Sequence, residues 1–149
     1  MWTKSLNALV GTAALALFAI AAQQPANAQT PSGTVVRVSV TNIRAQQGFI
    51  MVALYDEANW GQTPAARARV PVTSDDVNFT LTAPAPGRYA IRMFHDVNAD
   101  GAMDANIIGI PTEPIGFSNN APLQFGPPSF AAAAFDIAAS GAAQSIVLR

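Results

Sequence analysis

The chain has 149 residues, no cysteine and only 11% charged residues, which excludes a disulfide-stapled scaffold and any thiolate chemistry. Once Lys4 is set aside, seven arginines stand against nine acids and no lysine remains, a net charge of −2. That balance leaves neither a nucleic-acid footprint nor a polybasic membrane patch, and the length suits one domain with a core large enough to hold it.

Residues 1–28 read as a secretory signal peptide. Lys4 is the only charge of the n-region, Leu6 to Ala22 is an almost unbroken apolar run, and Ala26 and Ala28 fill the small positions before a cut at Ala28/Gln29. An uncleaved anchor is the rival reading, for which the run is short. A periplasmic or secreted protein is therefore expected, with residues 29–33 as a flexible leader, residues 34–149 as a single β domain, and no membrane span in the mature chain.

In "TVVRVSVTNI" (34–43), Val36, Val38 and Val40 share one face, the period of a half-buried strand. "RAQQG" (44–48) reads as a turn, "FIMVALY" (49–55) as a more continuously apolar central strand, and the two strands as a hairpin. Val70 and Val72 mark a short strand, and "VNFTL" (77–81) alternates again. "APAPG" (83–87) stops that strand, since proline cannot donate to a ladder. In "RYAIRMFHD" (88–96), Tyr89, Ile91, Met93 and His95 share one face and Ala90, Arg92, Phe94 and Asp96 the other.

The segment "HDVNADGAMD" (95–104) follows. Counted from Asp96, it offers Asp96, Asn98 and Asp100 at positions one, three and five. Gly101 stands at six, the carbonyl of Ala102 at seven and Asp104 at nine, the spacing of a calcium loop. Calcium is a hard ion that takes six to eight oxygens, and alternate side chains of a curled loop point at one centre. Position twelve is Ile107, so the closing bidentate glutamate is missing; Glu113 is the candidate to replace it, with water as the alternative. The flanks are strand and loop rather than two helices, so a structural calcium site of roughly 10⁻⁴ to 10⁻³ M affinity is expected and not a sensor. Two other readings stay open. Asp, Asn and Gly also build metal-free turns, and a softer metal would recruit His95.

Residues 105–130 form a Gly-, Pro- and Asn-rich segment with apolar anchors at Ile107, Ile108, Ile110, Ile115, Phe117, Leu123, Phe125 and Phe130, read as ordered and packed on the domain. Ser129 is placed to cap a helical turn through "FAAAAF". "FDIAA" (135–139) and "QSIVL" (144–148) are the last strands. The pattern predicts an all-β fold, an antiparallel β-sandwich of about seven strands with a long ordered loop, or else a small barrel.

The motifs "YAI.MFHD", "DVNADGAMD", "GIPTEP.GFSNN" and "GPPSF" resemble a bacterial family of exported proteins, domain of unknown function 2141. The likeness covers most of the chain after residue 28 and is densest over 86–137. It implies a secreted or periplasmic β-sandwich and supplies no reaction. It places the family's signature at Asp96, Asn98, Gly101, Asp104, Gly109, Pro111, Glu113, Gly116, Phe117, Ser118, Asn119 and Asn120. The "PG.Y.I" strand is similar, more weakly, to prealbumin-like and carboxypeptidase-regulatory-like sandwiches, so the expected sandwich is immunoglobulin- or prealbumin-like.

Three functions compete. The first is a monomeric, non-catalytic module, clamped by calcium, that binds an envelope protein or glycan through segment 105–130, with Trp60 and Tyr55 adding aromatic contact. A lid over one end of the core is the plainer role for Trp60. The second is a structural subunit of an envelope assembly. The third is a hydrolase built on His95, Asp96 and Ser118, which lacks the strand–turn–helix setting of a nucleophile elbow.

Overall fold

The computed structural model describes residues 33–149; the signal peptide and most of the leader expected from the sequence lie outside the described residues. The domain is all-β, with β1 (Thr34–Thr41), β2 (Phe49–Tyr55), β3 (Ala66–Pro71), β4 (Val77–Ala83), β5 (Gly87–Asp96), β6 (Ile115–Phe117), a 3₁₀ turn (Ser118–Asn120), α1 (Phe130–Ala133), β7 (Phe135–Ile137) and β8 (Ala142–Val147). The strands form two sheets, of three strands in the order β4-β1-β8 and of five, in which β3-β2-β5-β6 run side by side and β7 also pairs with β5.

Their inward rows meet in one core. Val36, Val38 and Val40 of β1, Leu81 of β4 and Ile146 of β8 pack with Ile50, Val52 and Leu54 of β2 and Ile91 and Met93 of β5. Each set sits at every second position, so the alternation in the sequence becomes burial on one face. One flank is stitched where Ile115 and Arg149 exchange two backbone hydrogen bonds, each 3.0 Å. There Gly116 lies so close to Ile146 and Leu148 that a Cβ would press on both.

Three expectations need correction. The segments 34–43 and 49–55 are strands but not a hairpin: β1 pairs with β4 and β8, while β2 pairs with β3 and β5. The turn at 44–48 carries the chain from one sheet to the other, because both strands bury an apolar face and two such faces cover each other across layers. The fold is not wholly antiparallel either, since β1 and β8 run parallel. The described residues hold eight strands where about seven were expected; Ile115–Phe117, read as loop, is the extra one.

β5 has two partners along a single edge. β7 pairs with Gly87–Tyr89 and β6 with Arg92–Phe94, which leaves the Ile91 N–H at the break between ladders. The Ser118 hydroxyl fills the break. It accepts from Ile91 N at 2.8 Å and donates to the Ala133 carbonyl. Asn119 Nδ2 donates to the Ala134 carbonyl at 2.7 Å. Asn120 lies along β8, its Nδ2 donating to the Ser145 carbonyl and its Oδ1 accepting from Val147 N. Side-chain amide thus covers backbone that would otherwise stand open at a sheet edge.

Replacing Ser118 by alanine strands a buried N–H and a buried carbonyl. Urea unfolding of Ser118→Ala is expected to show a loss of about 1–3 kcal/mol, against less than about 0.5 kcal/mol for exposed Ser140→Ala.

Candidate functional site

β5 ends at Asp96, on the sheet face opposite Met93 and His95, and the loop that follows folds back over it. Asp96 is wholly buried. Its Oδ1 accepts from Asp100 N at 3.1 Å and its Oδ2 from Gly101 N at 2.9 Å. Gly101 has φ +84°, the left-handed geometry that glycine adopts without a Cβ penalty. Glu113, 8% exposed, reaches back from beyond the loop: Oε1 accepts from Val97 N at 2.8 Å and Oε2 from Asp104 N at 3.1 Å. The two acids therefore pin the loop at its middle and at both of its ends.

The remaining sequence-predicted ligands gather on the outside. Asn98 Nδ2 donates to Asp104 Oδ2 at 2.9 Å and to Asp100 Oδ2 at 3.3 Å. Asn98 Oδ1 accepts from Asp100 N at 3.1 Å, and Asp100 Oδ1 from Ala102 N at 2.8 Å. One amide NH₂ group thus stands between two carboxylates, where positive charge is most favourable. Among the described residues, no three acidic or imidazole side chains converge as a ready metal cage. The donor set is nonetheless all oxygen, the chemistry of a hard cation. Each pinned carboxylate oxygen keeps a second lone pair, and rotation of the Asn98 amide would exchange its nitrogen for its oxygen.

Past the loop the chain rises as a tight finger. Thr112 N bonds the Asp104 carbonyl, Asn106 N bonds the Ile110 carbonyl, and Ala105 bridges Pro111. Asn106 Oδ1 accepts from Ile108 N and Ile110 N, and Gly109 makes the bend at φ +80°. Segment 105–130 is therefore ordered, but only part of it packs as expected. Ile115, Phe117 and Phe130 are buried and Leu123 is partly so. Ile107 and Phe125 are fully exposed, and Ile108 and Ile110 are 74% and 54% exposed. Four of the eight apolar residues read as anchors are not anchors.

The aromatic residues fall on the structural side. Trp60 packs edge-on to Tyr55, Phe117 and Phe130 at centroid distances of 5.4, 6.3 and 6.1 Å, and its Nε1 donates to the Pro128 carbonyl at 3.0 Å. Trp60 is part of a second core between the five-stranded sheet and residues 117–134; Tyr55, only 7% exposed, packs against it and also lines a groove on the outer face of that sheet.

The hydrolase residues do not meet chemically. Ser118 uses its hydroxyl twice on backbone, the partner of His95 Nε2 is the Gln47 carbonyl at 2.7 Å, and Asp96 holds the loop. A carbonyl only accepts, so Nε2 is the donor in that bond; Nδ1 is buried with no hydrogen-bond partner among the described residues. Gly48, at φ +72°, packs so tightly on the Asp96 carbonyl that any side chain would collide.

Sequence reading missed Arg67, Arg69 and Arg92, which with Met51, Ala53 and Phe94 line a groove of about 400 Å³ on the outer face of the five-stranded sheet. The alternating "ARARV" (66–70) was the available signal.

An all-β protein of two sheets, carrying an acid-pinned loop on its longest strand, is the class defined by these observations. The family model described as "Uncharacterized protein conserved in bacteria (DUF2141)" matches residues 38–145, and the chain belongs to that family. No curated protein and no solved structure matches it.

Glu113→Ala leaves the Val97 and Asp104 amides without acceptors. Amide hydrogen exchange at both is expected to accelerate, with about 1–3 kcal/mol lost from global stability, while exposed Asp136→Ala changes neither.

Proposed function

We propose that the chain is an exported, non-catalytic β-sandwich module in which a calcium ion rigidifies the 96–104 loop, so that the finger and the Phe125 turn present apolar side chains to an envelope protein. The observation that carries this reading is the coupling of root and tip. Glu113, which holds the acid loop, also closes the base of the finger whose Ile107, Ile108 and Ile110 stand exposed. Exposed aliphatic side chains on an ordered support are costly to solubility and are a mark of interaction surfaces. Asp96, Asn98, Asp100, Asp104, Glu113 and the carbonyl of Ala102 would hold the ion, which supplies positive charge between acids now bridged only by an amide. Within the described residues no helix is long and apolar enough to cross a membrane.

Melting of the protein corresponding to residues 29–149 tests the metal. About 10 mM calcium is expected to raise Tm by about 3–8 °C, with magnesium weaker and Asp100→Ala unresponsive; identical melting in calcium and chelator overturns it. The surface is tested separately. Ile107→Ser with Phe125→Ser should leave Tm unchanged and abolish cross-linking to the envelope partner, and undiminished cross-linking would place the partner elsewhere.

A further inference from the structure

β2 is apolar on both faces, the pattern of a strand covered twice. Its inner face lies in the core, but over Met51 and Ala53 on its outer face no strand or helix of the described residues is laid; the groove there is walled by arginine side chains instead. The register places those arginines. Arg67 and Arg92 both stand opposite Ala53, one on each neighbouring strand, and Arg69 stands opposite Met51 in the next row. Two strand spacings separate Arg67 from Arg92 by about 10 Å, and Arg69 lies about 7 Å along from Arg67. Ala53 is the smallest side chain in that row, between the two arginines.

None of the described residues lining this groove is acidic. The guanidinium of Arg69 is stacked 3.5 Å above the Phe49 ring, and that of Arg92 lies 4.0 Å from Met103 Sδ. Both contacts hold the side chains in place while leaving N–H donors unspent, and an arginine offers five of them in a fixed fork. Three arginines along one groove with no carboxylate among its described lining, on a chain that is acidic overall, call for an anion. The apolar floor calls for more than an inorganic one. A second copy of this face is disfavoured, because it would set arginine against arginine.

The geometry points to a binding site for a small organic anion: a carboxylate or phosphate over Ala53, gripped from both sides by Arg67 and Arg92, with a flat apolar body lying over Met51 toward Phe94 and Arg69. The groove volume suits one such molecule. This site goes beyond the calcium and finger reading and stands if that reading fails: it touches the 96–104 loop at Gly101 and Met103, but its arginines and floor residues are neither the proposed calcium ligands nor the finger.

Calorimetric titration with 2-naphthoate at low salt is the test, with 2-naphthalenemethanol, inorganic phosphate and phosphatidylglycerol vesicles as comparison arms. Naphthoate is expected to bind at 1:1 with Kd below about 1 mM, at least about tenfold tighter than the uncharged alcohol or phosphate alone, and to weaken with added salt. Arg67→Gln with Arg92→Gln should reduce affinity about tenfold or more, and Ala53→Leu should reduce it by filling the floor. Arg37→Gln, on the other sheet, should leave it unchanged. Melting of every variant verifies the fold, which these outward-facing changes spare. Absence of saturable naphthoate binding, equal binding of the alcohol, parent affinity in the double arginine variant, or binding to vesicles alone overturns the proposal.

Discussion

A carboxylate taken out of water needs hydrogen-bond donors in return. Asp96 and Glu113 meet that requirement with four backbone N–H groups, those of Asp100 and Gly101 for the first and of Val97 and Asp104 for the second. All four belong to one loop. The need to satisfy two buried acids therefore fixes the path of the chain from the end of β5 to the root of the finger. The outer acids and Asn98 are consequences of that path. With the backbone curled around Asp96, alternate side chains at 98, 100 and 104 have one region to share, and the Asn98 amide is the group that keeps Asp100 and Asp104 from facing each other directly.

The same economy of donors and acceptors appears at the other end of β6. Two short strands pair with one edge of β5 and leave a single N–H between them, and Ser118 occupies that place. Asn119 and Asn120 adopt positive φ, which asparagine tolerates better than other side-chain-bearing residues. That conformation sends both amides onto the backbones of neighbouring segments. "FSNN" is thus a joint between the five-stranded sheet, α1 and β8. Its polar side chains are consumed by architecture, which is why a serine beside a histidine-bearing strand makes no nucleophile here.

Local patterns were legible where a residue's neighbours in sequence decide its environment. The alternation of Val36, Val38 and Val40, the Ser129 cap, whose hydroxyl accepts from Ala132 N, and the sharp bend at Gly101 all depend on a few adjacent positions, and each is found in the structure. Pairing was not legible. The assumption that strands adjacent in sequence form a hairpin fails for β1 and β2, because the decisive interaction is between their apolar faces across the core. The parallel partnership of β1 with β8 joins segments about a hundred residues apart, which no window reports. Apolar content alone also could not separate Ile115, held by the ladder to β5, from Ile107, lifted into solvent by a finger that Asn106 and Gly109 hold in shape. The finger's own hydrogen bonds decide that difference.

Charge is divided spatially in a way that the near-neutral total conceals. Acids gather at the loop over the end of β5, while Arg67, Arg69 and Arg92 stand on the open outer face of the same sheet, with Gly101 at the boundary between the two regions. Had these groups served only solubility, intermixing of opposite signs would satisfy them at no structural cost, and exposed pairs contribute little to stability in any case. Instead Arg69 rests on an aromatic ring and Arg92 beside a thioether, partners that orient a guanidinium without neutralising it. An apolar strand face surrounded by cations held in that way remains chemically unfinished among the described residues. What completes it must bring both negative charge and apolar surface from outside.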